Sequence, residues 1–185
     1  MIEKLRKYIN LDSLGRYIPL PADAVTALSL AVALLGLWLV PLGVPPWVFI
    51  AVVGALDVLD GAVARARGSP TRSGALLDST LDRAADAVIL LYFPWRSPAL
   101  LTAALAGTFL ISYVRARAES LGLSMRGVGF MERGERLIYL FLASIVSELY
   151  RPALGPALYL YTALVDVAAT YRFLEAYRAL KAPNF

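Results

Sequence analysis

Apolar residues gather into six long runs, at about residues 24–40, 46–66, 75–95, 98–114, 136–149 and 154–174. Short breaks rich in Pro, Gly and charge separate them: PLGVPP, RGSPTRSG, PWRSP, the longer segment 115–135, and YRPALGP. A helix that crosses a bilayer needs roughly 20 mainly apolar residues, and Pro and Gly at the breaks are helix stop signals. The pattern predicts an all-α chain with six transmembrane helices in a single membrane domain spanning 1–185, the fifth helix being the shortest. Pro46 and Pro98 suit first helical turns, where a missing N–H leaves no bond unmade. Ahead of the first run, MIEKLRKYINLDSLGRYI mixes charged and apolar residues at helical spacing. It predicts an amphipathic helix over 1–18 lying in the membrane interface, since it lacks the uninterrupted apolar stretch of a cleaved signal.

Composition strengthens the membrane reading: 59% of residues are apolar and 17% charged, where soluble domains run near half apolar and a quarter charged. A chain of 185 residues with six spans has no room for a second, soluble domain. If both termini are cytoplasmic, sixteen of the eighteen Lys and Arg residues lie on the inner side, and only Arg96 and Arg151 lie outside. That is the orientation which the positive-inside bias selects. The net charge of +4 then follows from topology and anionic headgroups, and no nucleic-acid motif accompanies it. The chain has neither Cys nor His, which excludes disulfides, thiolate nucleophiles, an imidazole base and Cys- or His-based metal sites. Chemistry must rest on carboxylates, basic side chains, hydroxyls and hard cations such as Mg²⁺ or Mn²⁺.

Carboxylates occur where lipid-facing helices exclude them: Asp57, Asp60, Asp78, Asp82 and Asp86. A lone intramembrane charge costs at least about 2.5 kcal/mol, so these must face one another, water or a cation. Asp57 and Asp60 are spaced i, i+3, and Asp78 and Asp82 i, i+4, so each pair shares one helix face. A tight connection around 68–73 is expected to make the two helices antiparallel neighbours and bring the pairs together near the cytoplasmic side. Four adjacent carboxylates need positive charge among them, which two divalent cations would supply; such a pair suits attack at phosphorus. Arg65, Ser69, Thr71 and Arg72 would offer donors to a diphosphate, and Gly61 and Ala64 leave room for it. Charge placement alone also allows a cation transporter or acids that merely pair with Arg65, Arg72 and Arg83.

In full the segment reads Asp57-x2-Asp60-Gly61-x2-Ala64-Arg65-x8-Gly74-x3-Asp78-x3-Asp82. Here the chain resembles the CDP-alcohol phosphotransferase family at every signature position. The resemblance implies metal binding by Asp57, Asp60 and Asp78, with Asp82 completing a second metal site and acting as base on the acceptor hydroxyl. It also implies a CDP pocket lined by Gly61, Ala64, Arg65 and Thr71, a CDP-diacylglycerol or CDP-archaeol donor, and a homodimer.

Further basic residues bear on the acceptor. SYVRARAE from Ser112 and MERGER from Met131 resemble strings of family members that use inositol 1-phosphate, the phosphatidylinositol-phosphate and archaetidylinositol-phosphate synthases. The resemblance implies that Arg115, Arg136 and Arg172 hold the acceptor phosphate, with Arg133 the alternative to Arg136. DAVT, Asp23 to Thr26, resembles the start of their first span. Glycerol 3-phosphate also carries a phosphate and remains the alternative acceptor.

Overall fold

The structure, a computed structural model, describes residues 17, 19–66 and 71–182. The expected interfacial helix over 1–18, apart from Tyr17, and Ser69 lie outside the described residues. Six α-helices and no strand occur among the described residues: α1 (Ala22–Leu39), α2 (Pro46–Ala66), α3 (Arg72–Leu90), α4 (Pro98–Ser120), α5 (Arg133–Leu149) and α6 (Leu154–Lys181). A 3₁₀ turn, Arg151–Ala153, leads into α6. Each of the six predicted runs contains a helix, the third ending at Leu90 and not at 95, and local chemistry sets their starts. Thr71 Oγ1 accepts from the Gly74 N–H at 2.9 Å to cap α3, and Ser97 Oγ accepts from the Leu100 N–H at 3.2 Å to cap α4, whose first residue is Pro98.

Four of these helical segments are long and apolar enough to cross a membrane on composition alone: Ala22–Leu39, Pro46–Ala66, Pro98–Ser120 and Arg151–Lys181. The other two are set apart by their charges. α3 carries Asp78, Asp82, Arg83 and Asp86, and α5, with 17 residues, carries Arg133, Glu135, Arg136 and Glu148. Large apolar side chains such as Trp38, Leu76, Leu142, Leu160 and Val167 point outwards, a cost in water that disappears against lipid tails.

The chain divides into two compact units, Met1–Phe93 and Pro94–Phe185. In the first, α1 packs along both α2 and α3, whereas close approaches between α2 and α3 themselves are sparse. The two helices therefore face each other mainly through side chains, and α1 is the element that both lean on. Tyr92, just past α3, donates its hydroxyl proton to the Ala33 carbonyl at 2.5 Å, and its ring meets Phe49 of α2 edge-on at 6.0 Å. The crossing needs Gly36, because a Cβ there would overlap the Tyr92 ring and sit 3.0 Å from Phe49 Cγ.

In the second unit α4 packs along α6, and α5 contacts α6 and the 3₁₀ turn. Buried Thr108 and Tyr161 share a hydroxyl hydrogen bond of 3.1 Å, and Tyr139 donates to the Ala157 carbonyl at 2.9 Å. The segment between α4 and α5 is held by buried Met125 against Ala118 of α4 and Ala176 of α6.

Candidate functional site

Two groups of charged side chains stand out, one in each unit. In the first, Asp57 and Asp60 project from α2 and Asp78 from α3, and each offers a carboxylate oxygen within 4.8 Å of the other two. The three carboxylates thus meet across the two helices, with α1 as their common support. Asp60 is 6% exposed; Asp57, Asp78 and Asp82 are half-buried. Asp82 lies one helical turn beyond Asp78. Gly61 and Ala64 are half-buried on α2, Arg65 is exposed in its last turn, and Thr71 caps α3. Arg83 turns back to donate to the Ser79 carbonyl of its own helix.

The donor set fits a hard divalent cation. It consists only of carboxylate oxygens, and ligands of one Mg²⁺ at roughly 2.1 Å lie at most about 4.2 Å apart, so small side-chain rotations close the observed spread. A single-residue partner on α1 orients the most buried ligand. The Thr26 hydroxyl lies 3.0 Å from Asp60 Oδ2 and 3.1 Å from the Ala22 carbonyl, which share its one proton. Sequence reasoning placed Thr26 only inside a resembling string and missed this contact. The available signal was a hydroxyl in the first turns of an otherwise apolar helix. Hydrogen bonds to ligating carboxylates tune metal affinity. Thr26→Val, which keeps the shape and deletes the hydroxyl, is expected to weaken divalent-metal binding about tenfold; titration with Mn²⁺ measures it, and native affinity would sink the role.

The second group gathers acceptor candidates on α4, α5 and α6. Arg172 is 2% exposed; its Nε donates to the Val128 carbonyl at 3.1 Å and its Nη1 to the Ile111 carbonyl at 3.0 Å. Arg136, also buried, donates to the Met131 carbonyl at 2.8 Å. Arg115 is half-buried and pairs with Glu119 at 3.1 Å. Arg115, Arg136, Glu119 and Glu132 are the charges that act on Arg172. Arg133, the alternative to Arg136, is half-buried in the first turn of α5. Sequence reasoning did not single out Glu132, although Glu132 and Glu135, three apart at the start of α5, form a capping box that the spacing signals.

The incoming segment is shaped to reach Arg172. Gly127 and Gly129 have φ of +72° and +96°, and Met131 has φ of +55°, an uncommon value for a residue with a side chain. A Cβ on Gly129 would lie 3.1 Å from Arg172 Nε and Nη2, so only glycine lets the backbone pass this close.

Comparison with known proteins shows the family of the whole chain. Residues 19–170 match the CDP-alcohol phosphatidyltransferase family. The chain is 36% identical to archaetidylinositol phosphate synthase of Methanothermobacter thermautotrophicus, over 98% of its own length and 96% of that protein. It is 35% identical to phosphatidylinositol phosphate synthase of Mycolicibacterium smegmatis, over 88% of its length and 78% of the relative. The crystal structure of Mycobacterium tuberculosis phosphatidylinositol phosphate synthase with CDP-DAG bound superposes with a TM-score of 0.76 at 33% identity, covering 90% of this chain and 93% of that one. The same mycobacterial enzyme in complex with manganese and citrate superposes with a TM-score of 0.74, at 33% identity over 94% of this chain and 90% of that one. A chain that is all-helical among the described residues, with three carboxylates close enough to hold a divalent cation, is thus matched along most of its length, and it belongs to the CDP-alcohol phosphatidyltransferase family.

Proposed function

We propose that this enzyme transfers a phosphatidyl-type group, from CDP-diacylglycerol or CDP-archaeol, to a hydroxyl of inositol 1-phosphate and releases CMP. The observation that carries the acceptor is buried Arg172, which spends two donors on carbonyls and keeps Nη2 directed at an anion. Arg115 and Arg136, with Arg133 as the alternative to Arg136, complete a basic group that suits a phosphate monoester. The names of the similar synthases support the same acceptor.

In this reading Asp57, Asp60, Asp78 and Asp82 hold two divalent cations, Mg²⁺ or Mn²⁺, which when bound stabilise charge on the phosphoryl oxygens and the departing phosphate. Gly61, Ala64, Arg65, Ser69 and Thr71 bind the CDP portion: the small residues admit it, and the guanidinium and hydroxyls donate to its oxygens. The Asp82 carboxylate accepts the proton of the acceptor hydroxyl as that oxygen bonds to the lipid-side phosphorus. The bond from that phosphorus to the bridging oxygen breaks, and CMP carries off the electron pair. The chain acts as one membrane domain of six spans, with an interfacial helix over 1–18, both termini and the chemistry on the cytoplasmic side, and a homodimeric assembly.

A panel of acceptors tests the assignment. With CDP-lipid and Mn²⁺ supplied, CMP release is expected to be at least about tenfold faster with inositol 1-phosphate than with glycerol 3-phosphate, because a site built for several hydroxyls discriminates against their loss. Faster release with glycerol 3-phosphate would replace the acceptor, and metal flux through proteoliposomes without CMP release would point to a transporter.

A further inference from the structure

The acceptor-side arginines face a carboxylate of their own chain. Glu132 Oε1 lies 3.7 Å from Arg115 Nη1 and 3.7 Å from Arg172 Nη2, beyond hydrogen-bond length, so the attraction is purely between charges. Glu132 is also the N-cap of α5: its side chain accepts from the Glu135 N–H, while the Glu135 carboxylate accepts from the Glu132 N–H at 3.1 Å. A helix start flanked by two guanidiniums is a seat for an anion. Arg172 supplies an independent sign of one, since its Nη2 is buried and makes no hydrogen bond. A buried donor left in that state is costly, and an incoming phosphate oxygen would relieve it.

The two partners differ in freedom. The Arg172 side chain is 2% exposed and tethered by two carbonyls, whereas that of Glu132 is 50% exposed and can turn to water without losing a buried environment. We propose that Glu132 is a built-in competitor of the acceptor phosphate, filling the seat between Arg115 and Arg172 until a doubly charged phosphate displaces it, and so sets the selectivity of that seat. This rests on the acceptor reading given above. A singly charged anion gains nothing by exchange, because it brings the same charge as a tethered carboxylate whose effective concentration is high. A phosphate dianion brings a second charge and paired oxygens that match the guanidinium fork.

The test uses the full-length protein with CDP-lipid and Mn²⁺, reading the KM for inositol 1-phosphate and the concentration of nitrate that halves CMP release. Glu132→Gln and Glu132→Ser both remove the charge and keep an N-cap acceptor, so at least one retains α5. Each is expected to lower the KM about threefold and to make nitrate inhibitory at about tenfold lower concentration, with kcat little changed. An unchanged or raised KM with native nitrate sensitivity, even alongside a lower Tm, would assign Glu132 a capping role only and overturn the proposal. Arg172→Lys distinguishes the role of Glu132 from that of the acceptor site itself. A raised KM in that variant, without the Glu132 effects, removes this inference alone. An unchanged KM removes the acceptor reading and this inference with it.

Discussion

Asp82→Asn is expected to lower CMP release by about 10²–10⁴-fold, the span that a positioned proton acceptor contributes. Asn has nearly the same shape and keeps one oxygen, so α3 and its cap at Thr71 persist. What it loses is the negative charge and the capacity to take a proton from the acceptor hydroxyl. Affinity for CDP-lipid should stay near native, because three further carboxylates remain and Asp82 lies outside the closest group of oxygens, those of Asp57, Asp60 and Asp78. Parallel measurements of turnover and of CDP-lipid binding check this. Native turnover would remove the base assignment, and a loss of binding equal to the loss of rate would make Asp82 a binding residue instead.

The second large effect belongs to Asp78. Of the three carboxylates within 4.8 Å, two come from α2, and Asp78 is the one that α3 contributes. Asp78→Asn therefore removes the one carboxylate of this group that α3 supplies, together with one of the charges that a divalent cation would neutralise. Hard cations rely on charged oxygen ligands, and the loss of one is expected to weaken Mn²⁺ binding at least about tenfold, since even supporting residues outside the ligand set are worth that much. CMP release should fall with it and recover partly at high Mn²⁺. Unaltered Mn²⁺ titration in the variant is the result that would exclude Asp78 from the centre.

Much of this was legible in the sequence because the two signals involved are local. Long apolar runs broken by Pro and Gly located all six helices, and the spacing of the aspartates foretold that the carboxylates of Asp57, Asp60 and Asp78 would meet. The ends of α4 and α6 were read short, at 114 and 174 instead of Ser120 and Lys181. Apolar runs mark where lipid stops, and a helix continues past that point when its polar residues favour helix, as Arg115 to Ser120 and Glu175 to Lys181 do. The illegible features depend on tertiary contact. Thr26 reaches Asp60 across 34 positions of sequence, a separation that no periodicity encodes. The short connection foretold that the acids of α2 and α3 would meet, but not that the closest backbone packing of both would be on α1, which offers a surface through Gly36 and Ala33. Glu132 was passed over because a glutamate among arginines reads as ordinary charge balance until its distances to two of them are known.

The brace formed by α1 has a consequence for biosynthesis. Chains enter the bilayer from the N-terminus, so α1, among the most apolar segments here, is in place before any signature aspartate leaves the insertion machinery. When α2 arrives, Asp60 finds the Thr26 hydroxyl waiting and is spared part of the cost of a bare charge in lipid. The helix that braces the carboxylates would then also ease their entry into the bilayer, and defects in its inner face would surface as failed insertion before they surfaced as lost catalysis.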